Sequence, residues 1–204
     1  MTDNCKIPSL RDTAVIGLGQ MGRGIARNLD RAGRLAAAWD CNAEARRADL
    51  SAAVVLAAPS AFGAVSRVIF VVPGSAEIRA LLCETDGLLH QPHEQQILID
   101  LTTSHPTATR ELAALARATG REYVDCGMTG GAKAADAGTL TLMAGGAAAA
   151  VDACRPTFGA FASKVVHIGE IGTGHTMKLI HNMICHTVAA SPSGSAFHWR
   201  PPSP

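Results

Sequence analysis

Short apolar runs alternate along the chain with alanine-rich stretches of helical period. The runs cover residues 13–16, 35–39, 68–72, 97–101 and 122–126, and the helical stretches between them cover 21–32, 75–82 and 106–119. Continuous apolar strands alternating with helices predict an α/β fold, a doubly wound and mainly parallel sheet covered on both faces. Gly33 and Gly120 stand just past two of the helices, where positive φ stops a helix, and Pro106 suits a first helical turn. Beyond Cys126 the texture changes. Residues 127–131 read as a loop, 139–144 as a strand, 147–162 as a helix, 164–168 as a strand and 169–174 as a glycine-rich turn. Residues 176–190 have helical character. The last fourteen residues, SPSGSAFHWRPPSP, hold four prolines and no periodicity, which predicts a disordered tail over 191–204.

Composition narrows the class. The 204 residues are 48% hydrophobic, 17% charged and 4% aromatic, enough for one sizeable core and unlike a disordered or fibrous chain. Lysine and arginine number 18 against 17 acids, so no positive surplus is offered to a nucleic acid. The cysteines at 5, 41, 83, 126, 154 and 185 form no CxxC pair, which argues against a disulfide framework or a zinc site and for reduced thiols in the cytoplasm. The polar start MTDNCKIPSLRD has no apolar core of a signal peptide, and residues 52–72 are broken by Pro59, Ser60, Ser66 and Arg67 before they reach membrane-spanning length. Membrane and nucleic-acid partners are therefore not expected.

The sharpest local pattern is GLGQMG over Gly17, Leu18, Gly19, Gln20, Met21 and Gly22, directly after a strand and opening a helix. Gly17 permits the tight turn, Gly19 lets a pyrophosphate approach the main chain, and Gly22 lets helix and strand pack closely. The helix start then offers unpaired N–H groups and partial positive charge. Asp40, at the end of the second strand, stands where a ribose-binding acid belongs. A carboxylate there accepts from both ribose hydroxyls and repels a 2′-phosphate, which favours NAD over NADP. Arg46 and Arg47 lie close enough to work against that preference.

Lys178, His181, Asn182 and Cys185 fall on one face of the last helix, among Leu179, Ile180, Met183, Ile184 and Val188. A lysine among apolar neighbours can lose pKa and exchange a proton with a substrate oxygen, with an amide one turn away orienting the same oxygen. Spacing alone leaves this open against a solvated or snorkelling lysine. His181 and Cys185 read as packing residues. Thr129-Gly130-Gly131 follows a strand end, where adjacent glycines can turn N–H groups toward a carboxylate, although taken alone it reads as an ordinary turn.

Together these segments resemble the β-hydroxyacid dehydrogenase family, which includes 3-hydroxyisobutyrate dehydrogenases and tartronate semialdehyde reductases. The matching text is GLGQMGRGIARNLDRAG from Gly17, FVVPG ending at Gly74, IDLTTSHPTAT from Ile99, GMTGGAKAADAGTLTLMAGG from Gly127 and HIGEIGTGHTMKLIHN from His167. The resemblance implies a Rossmann-type NAD(P)-binding domain over 13–174 after an extension over 1–12, with 175–190 starting an interdomain helix. It implies that residues 17–22 hold the pyrophosphate, that Val72 and Pro73 pack near the adenosine, and that Thr103 approaches the nicotinamide. It also implies that Thr129, Gly130 and Gly131 bind the substrate carboxylate, that Lys178 is the catalytic acid or base, and that Asn182 is its neighbouring asparagine. The implied reaction is hydride transfer between NAD(P) and a small 3-hydroxy acid such as 3-hydroxyisobutyrate or a glycerate-like molecule.

Three departures stand out. Thr129 replaces the usual serine, Met183 stands where a second asparagine is common, and the family's C-terminal all-helical domain of roughly a hundred further residues is missing. That last point predicts a truncated chain with apolar residues of 176–190 exposed, weak or retained cofactor binding, and low or absent turnover. A non-catalytic dinucleotide-binding remnant is the competing expectation. A transcriptional regulator would need a basic recognition helix, which is absent from the pattern. Self-association into a homo-oligomer stays open.

Overall fold

The computed structural model describes residues 11–45, 50–52, 54–93 and 95–190. The expected extension up to residue 10, the arginines at 46 and 47, and the expected tail over 191–204 lie outside the described residues.

Eight strands form one sheet in the order β3-β2-β1-β4-β5-β6-β7-β8. These are β1 (Thr13–Ile16), β2 (Leu35–Trp39), β3 (Val55–Leu56), β4 (Arg67–Phe70), β5 (Ile97–Asp100), β6 (Glu122–Thr129), β7 (Leu140–Gly145) and β8 (Ala162–Gly169). The first six strands of that order run parallel, β7 is antiparallel to β6, and β8 is parallel to β7. The helices are α1 (Gln20–Arg31), α2 (Ser75–Cys83), α3 (Pro106–Ala118), α4 (Gly131–Ala137), α5 (Ala148–Phe158) and α6 (Thr173–Ala190).

The central strands are buried on both faces because successive side chains point to opposite layers. Val15, Ile69, Ile99 and Val124 pack in one core with Ile25 and Leu29 of α1 and Val151 and Phe158 of α5. Their neighbours Ile16, Phe70 and Leu98 pack in a second core with Ile78 of α2 and Leu112 of α3. This is why β1, β4 and β5 read as unbroken apolar runs.

The sequence and the fold part company after Cys126. The stretch expected as a loop over 127–131 is strand as far as Thr129, because β7 folds back against it and pairs Gly127 with Met143 and Thr129 with Thr141. The edge strand β3 and the short helix α4 carry too few residues to announce themselves. Helix α5 ends at Phe158, earlier than the expected 162, with Pro156 in its last turn. The next strand then starts early, at Ala162.

At the other end of the sheet, Arg121 is 2% exposed. Its guanidinium donates to Gln96 Oε1 (2.9 Å), Thr119 Oγ1 (2.8 Å) and the carbonyls of Leu88 (2.8 Å) and Gln91 (2.7 Å). Burial pushes this group below its ordinary pKa, since all these acceptors are neutral. It ties the short turn Leu88–His90 to the starts of β5 and β6. Arg121→Met strands those acceptors and is expected to cost about 3 kcal/mol. Urea unfolding with an unchanged slope checks this, and a loss below about 1 kcal/mol contradicts it.

Candidate functional site: a crevice at the carboxyl ends of the strands

A crevice of about 920 Å³ opens where β1, β2, β4 and β5 end, and Met128 near the end of β6 joins its wall. Gly17, Gly19, Gln20, Met21 and Gly22 line it together with Asp40, Val72, Pro73 and Thr103. Thus nine of the ten residues expected at a dinucleotide come together in one cleft. Leu18 is the exception, because its side chain is fully buried in the core. A larger hollow of about 1340 Å³ lies at the opposite ends of the strands, lined by Ser60, Arg67 and His93 among others. It contains none of the expected site residues, which gather in the smaller cleft.

The three glycines of the loop differ in kind. A Cβ added at Gly17, whose φ is +96°, would fall on the carbonyl oxygen of Val71, and one added at Gly22 would fall on that of Gly17. Packing alone accounts for both. Gly19 has nothing within 4 Å of an added Cβ. Its bareness keeps open the space in front of the start of α1, which has neither a side-chain cap nor an acid in its first turn. The N–H groups there suit an anion.

Asp40 does more than sequence reasoning assigned to it. Its Oδ2 accepts the N–H of Leu18 at 2.7 Å and its Oδ1 the N–H of Asn42 at 2.7 Å. The acid therefore braces the glycine loop while lining the crevice. Carboxylate oxygens accept more than one hydrogen bond each, so bracing and ribose binding are compatible.

Thr129, Gly130, Gly131, Lys178 and Asn182 are not in the crevice wall; the first three follow its residue Met128 directly in the chain. Gly130, at φ +116°, starts α4, and an added Cβ would lie 2.6 Å from the Cβ of Ala134. Gly131 has open space in the place of a side chain. Helix α6 reaches β6 because Gly127 has no side chain: a Cβ there would lie 2.6 Å from the Cβ of Lys178. Lys178 therefore stands against the residue that precedes Met128. Partial burial lowers its pKa from the ordinary lysine value, which moves it toward acid–base use. Asn182, one turn on, is half-buried, whereas Met183 is 63% exposed.

Sequence reasoning missed what anchors α6. The Asp125 carboxylate accepts the N–H groups of Gly172 (2.7 Å) and His175 (2.8 Å), capping the start of the helix from the neighbouring strand. The signal was present as an acid within a largely apolar strand, but its partner lies 50 residues away.

Comparison with known proteins fits this geometry. Residues 12–169 match the family model described as the NAD binding domain of 6-phosphogluconate dehydrogenase. The NAD-dependent L-serine dehydrogenase of Pseudomonas aeruginosa is 36% identical over 178 residues, covering 86% of this chain and 59% of that protein. The human mitochondrial 3-hydroxyisobutyrate dehydrogenase is 30% identical over 180 residues, covering 87% of this chain and 54% of that protein. A solved 3-hydroxyisobutyrate dehydrogenase from Mycobacterium tuberculosis, with L-serine, superposes with a TM-score of 0.80 at 32% identity, covering 86% of this chain and 60% of that one. The chain thus spans somewhat more than half the length of these relatives.

The two kinds of glycine can be separated by experiment. Gly19→Ala is expected to keep the unfolding midpoint and to weaken dinucleotide binding about tenfold, because the methyl group enters the phosphate's space. Gly22→Ala is expected to cost at least about 2 kcal/mol of stability through overpacking. Equal effects of the two substitutions on stability contradict the distinction.

Proposed function

Since the chain belongs to the family described as the NAD binding domain of 6-phosphogluconate dehydrogenase, we propose that it holds NAD in the crevice and serves hydride transfer to or from a small 3-hydroxy acid. The observation that carries this reading is the open, anion-ready start of α1 at Gly19 in the crevice, together with the pKa-lowered Lys178 packed against Gly127, next in the chain to the crevice residue Met128. The residues fit the cofactor: bare N–H groups for a diphosphate, a carboxylate at Asp40 for a ribose, and Thr103 for the far end. NAD, when bound, supplies the hydride acceptor or donor.

The chain's own residues do the rest. Lys178 gives a proton to the substrate oxygen when a carbonyl is reduced and takes it back when the hydroxyl is oxidised. Asn182, on the same face one turn later, holds that oxygen. The Thr129 hydroxyl and the N–H groups at Gly130 and Gly131 receive the substrate carboxylate. The substrate class is a carboxylate with a hydroxyl on carbon 3, which covers 3-hydroxyisobutyrate, D-glycerate and L-serine. Asp40 sets the preference for NAD over NADP.

A second reading is NAD binding without turnover. It is supported by the exposure of Leu179, Ile180, Met183, Ile184 and Val188 on α6, since no described residue shields that side of the helix from water. Hydride transfer needs water kept out of the reacting centre. No helix among the described residues is long and apolar enough to cross a membrane.

Fluorescence titration with NADH and NADPH, followed by assay of NAD reduction with the three acids, tests both readings. NADH is expected to bind at least about tenfold tighter than NADPH. Where turnover is found, Lys178→Ala is expected to lower kcat about 100-fold or more while leaving NADH affinity within about twofold. Binding without turnover selects the second reading, and a preference for NADPH overturns the role given to Asp40.

A further inference from the structure

Asp100, Thr109, Tyr123, Asp125 and His175 form a hydrogen-bonded polar cluster at the start of α6, each no more than 4% exposed. Nothing in the proposed chemistry uses it. Burying two carboxylates and an imidazole is costly, and apolar residues of similar size would give equal or greater stability. Such a cluster is kept where it fixes geometry.

His175 sits at its centre. The ring Nδ1 is 2.7 Å from Thr109 Oγ1 on α3, and Nε2 is 3.3 Å from the main-chain carbonyl of Asp100 at the end of β5. The two carboxylates lie just outside direct contact, Asp125 at 3.9 Å from Nδ1 and Asp100 at 4.0 Å from Nε2. The main-chain N–H of the same residue is held by Asp125. One residue thus ties the start of α6 to α3, β5 and β6.

The tie extends to the crevice. Asp100 Oδ1 accepts the N–H of Thr102 at 2.8 Å, and Thr102 Oγ1 accepts the N–H of Val72 at 3.3 Å. Thr102, Thr103 and Val72 all line the cleft. Tyr123 donates its hydroxyl to the other oxygen of Asp100 at 3.0 Å, so that carboxyl cannot swing away. A continuous hydrogen-bonded path therefore runs from the crevice wall through Asp100 to His175, and Lys178 follows one helical turn later.

Resting on the reading of Lys178 as the proton donor, we propose that His175 is a positioning residue: its buried ring locks α6 to Asp100 and Thr109 and so sets Lys178 against the cofactor-lining turn at Thr102 and Thr103. The ring itself touches no substrate. Its effect reaches the chemistry through the depth and direction of Lys178.

The test reads Lys178 directly. The chain has only four lysines, at 6, 133, 164 and 178. Reductive methylation with ¹³C gives each its own resonance, and loss of one peak in Lys178→Met assigns it. In the full chain Lys178 is expected to titrate below an ordinary lysine, because partial burial disfavours its charged form. His175→Leu is expected to raise that midpoint by about half a unit or more, because the released helix start lets water reach the amine. NADH affinity should stay within about threefold, because no group in the crevice wall is altered. His175→Gln, whose amide can still pair with both Thr109 and the Asp100 carbonyl, should restore most of the wild-type midpoint. If His175→Leu fails to fold, Thr109→Val removes the ring's α3 partner with little change of shape and should shift Lys178 in the same direction.

A Lys178 midpoint unchanged in a folded His175→Leu or Thr109→Val variant overturns the proposal, whatever those variants do to thermal stability. Where the wild type turns over, kcat should fall while the KM for NAD holds; a rise in that KM alone contradicts it. A wild type that fails to bind NADH defeats the proposed function and leaves the Lys178 shift as a separate measurement.

Discussion

The cap that the Asp125 carboxylate places on the start of α6 is the contact on which the site depends. It takes the N–H groups of Gly172 and His175 and so decides where an eighteen-residue helix begins and which way it leaves the sheet. Close approach makes the cap possible: an added Cβ at Gly145 would lie 2.5 Å from one oxygen of that carboxylate, and one at Gly174 would lie 3.0 Å from the other. With α6 seated, Lys178 meets Gly127, and Gly127 leads into Met128 and the crevice wall. Asp125 within β6, three glycines and one lysine together fix how α6 lies against the sheet.

Two glycine-bearing turns matter to the proposed ligands. The start of α1 is bare of acid and of side-chain cap, and Gly19 leaves room before it. The second is the loop at Gly130 and Gly131, where Gly131 has open space in place of a side chain. We propose a diphosphate for the first and a small carboxylate for the second; Asp40 and Thr103 line the cleft. Asp40 holds Leu18 while lining the crevice, so bracing the loop does not remove it from the cleft.

Much of this was legible in the sequence where local rules govern. Strands β1 and β2 were read to the residue, because buried parallel strands are continuous apolar runs. The GLGQMG turn was read because its strand and helix are adjacent in the chain. What escaped depends on distant partners. Residues 127–129 join β6 only because β7 returns beside them, and glycine-rich text gives no sign of that pairing. The Asp100–His175–Asp125 cluster joins residues up to 75 positions apart, and each looks ordinary alone. Lys178 could be placed on a helix face from its spacing, but its seat against Gly127 could not, since that seat is set by the way α6 docks.

A crystal structure of the chain with NADH and a 3-hydroxy acid tests the central claim most directly. The account predicts the diphosphate over Gly19, the nicotinamide beside Thr103, and the Lys178 amine within about 3 Å of the substrate oxygen or one water away from it. A nicotinamide ring turned away from α6, with the Lys178 amine out of reach of the substrate, would contradict it.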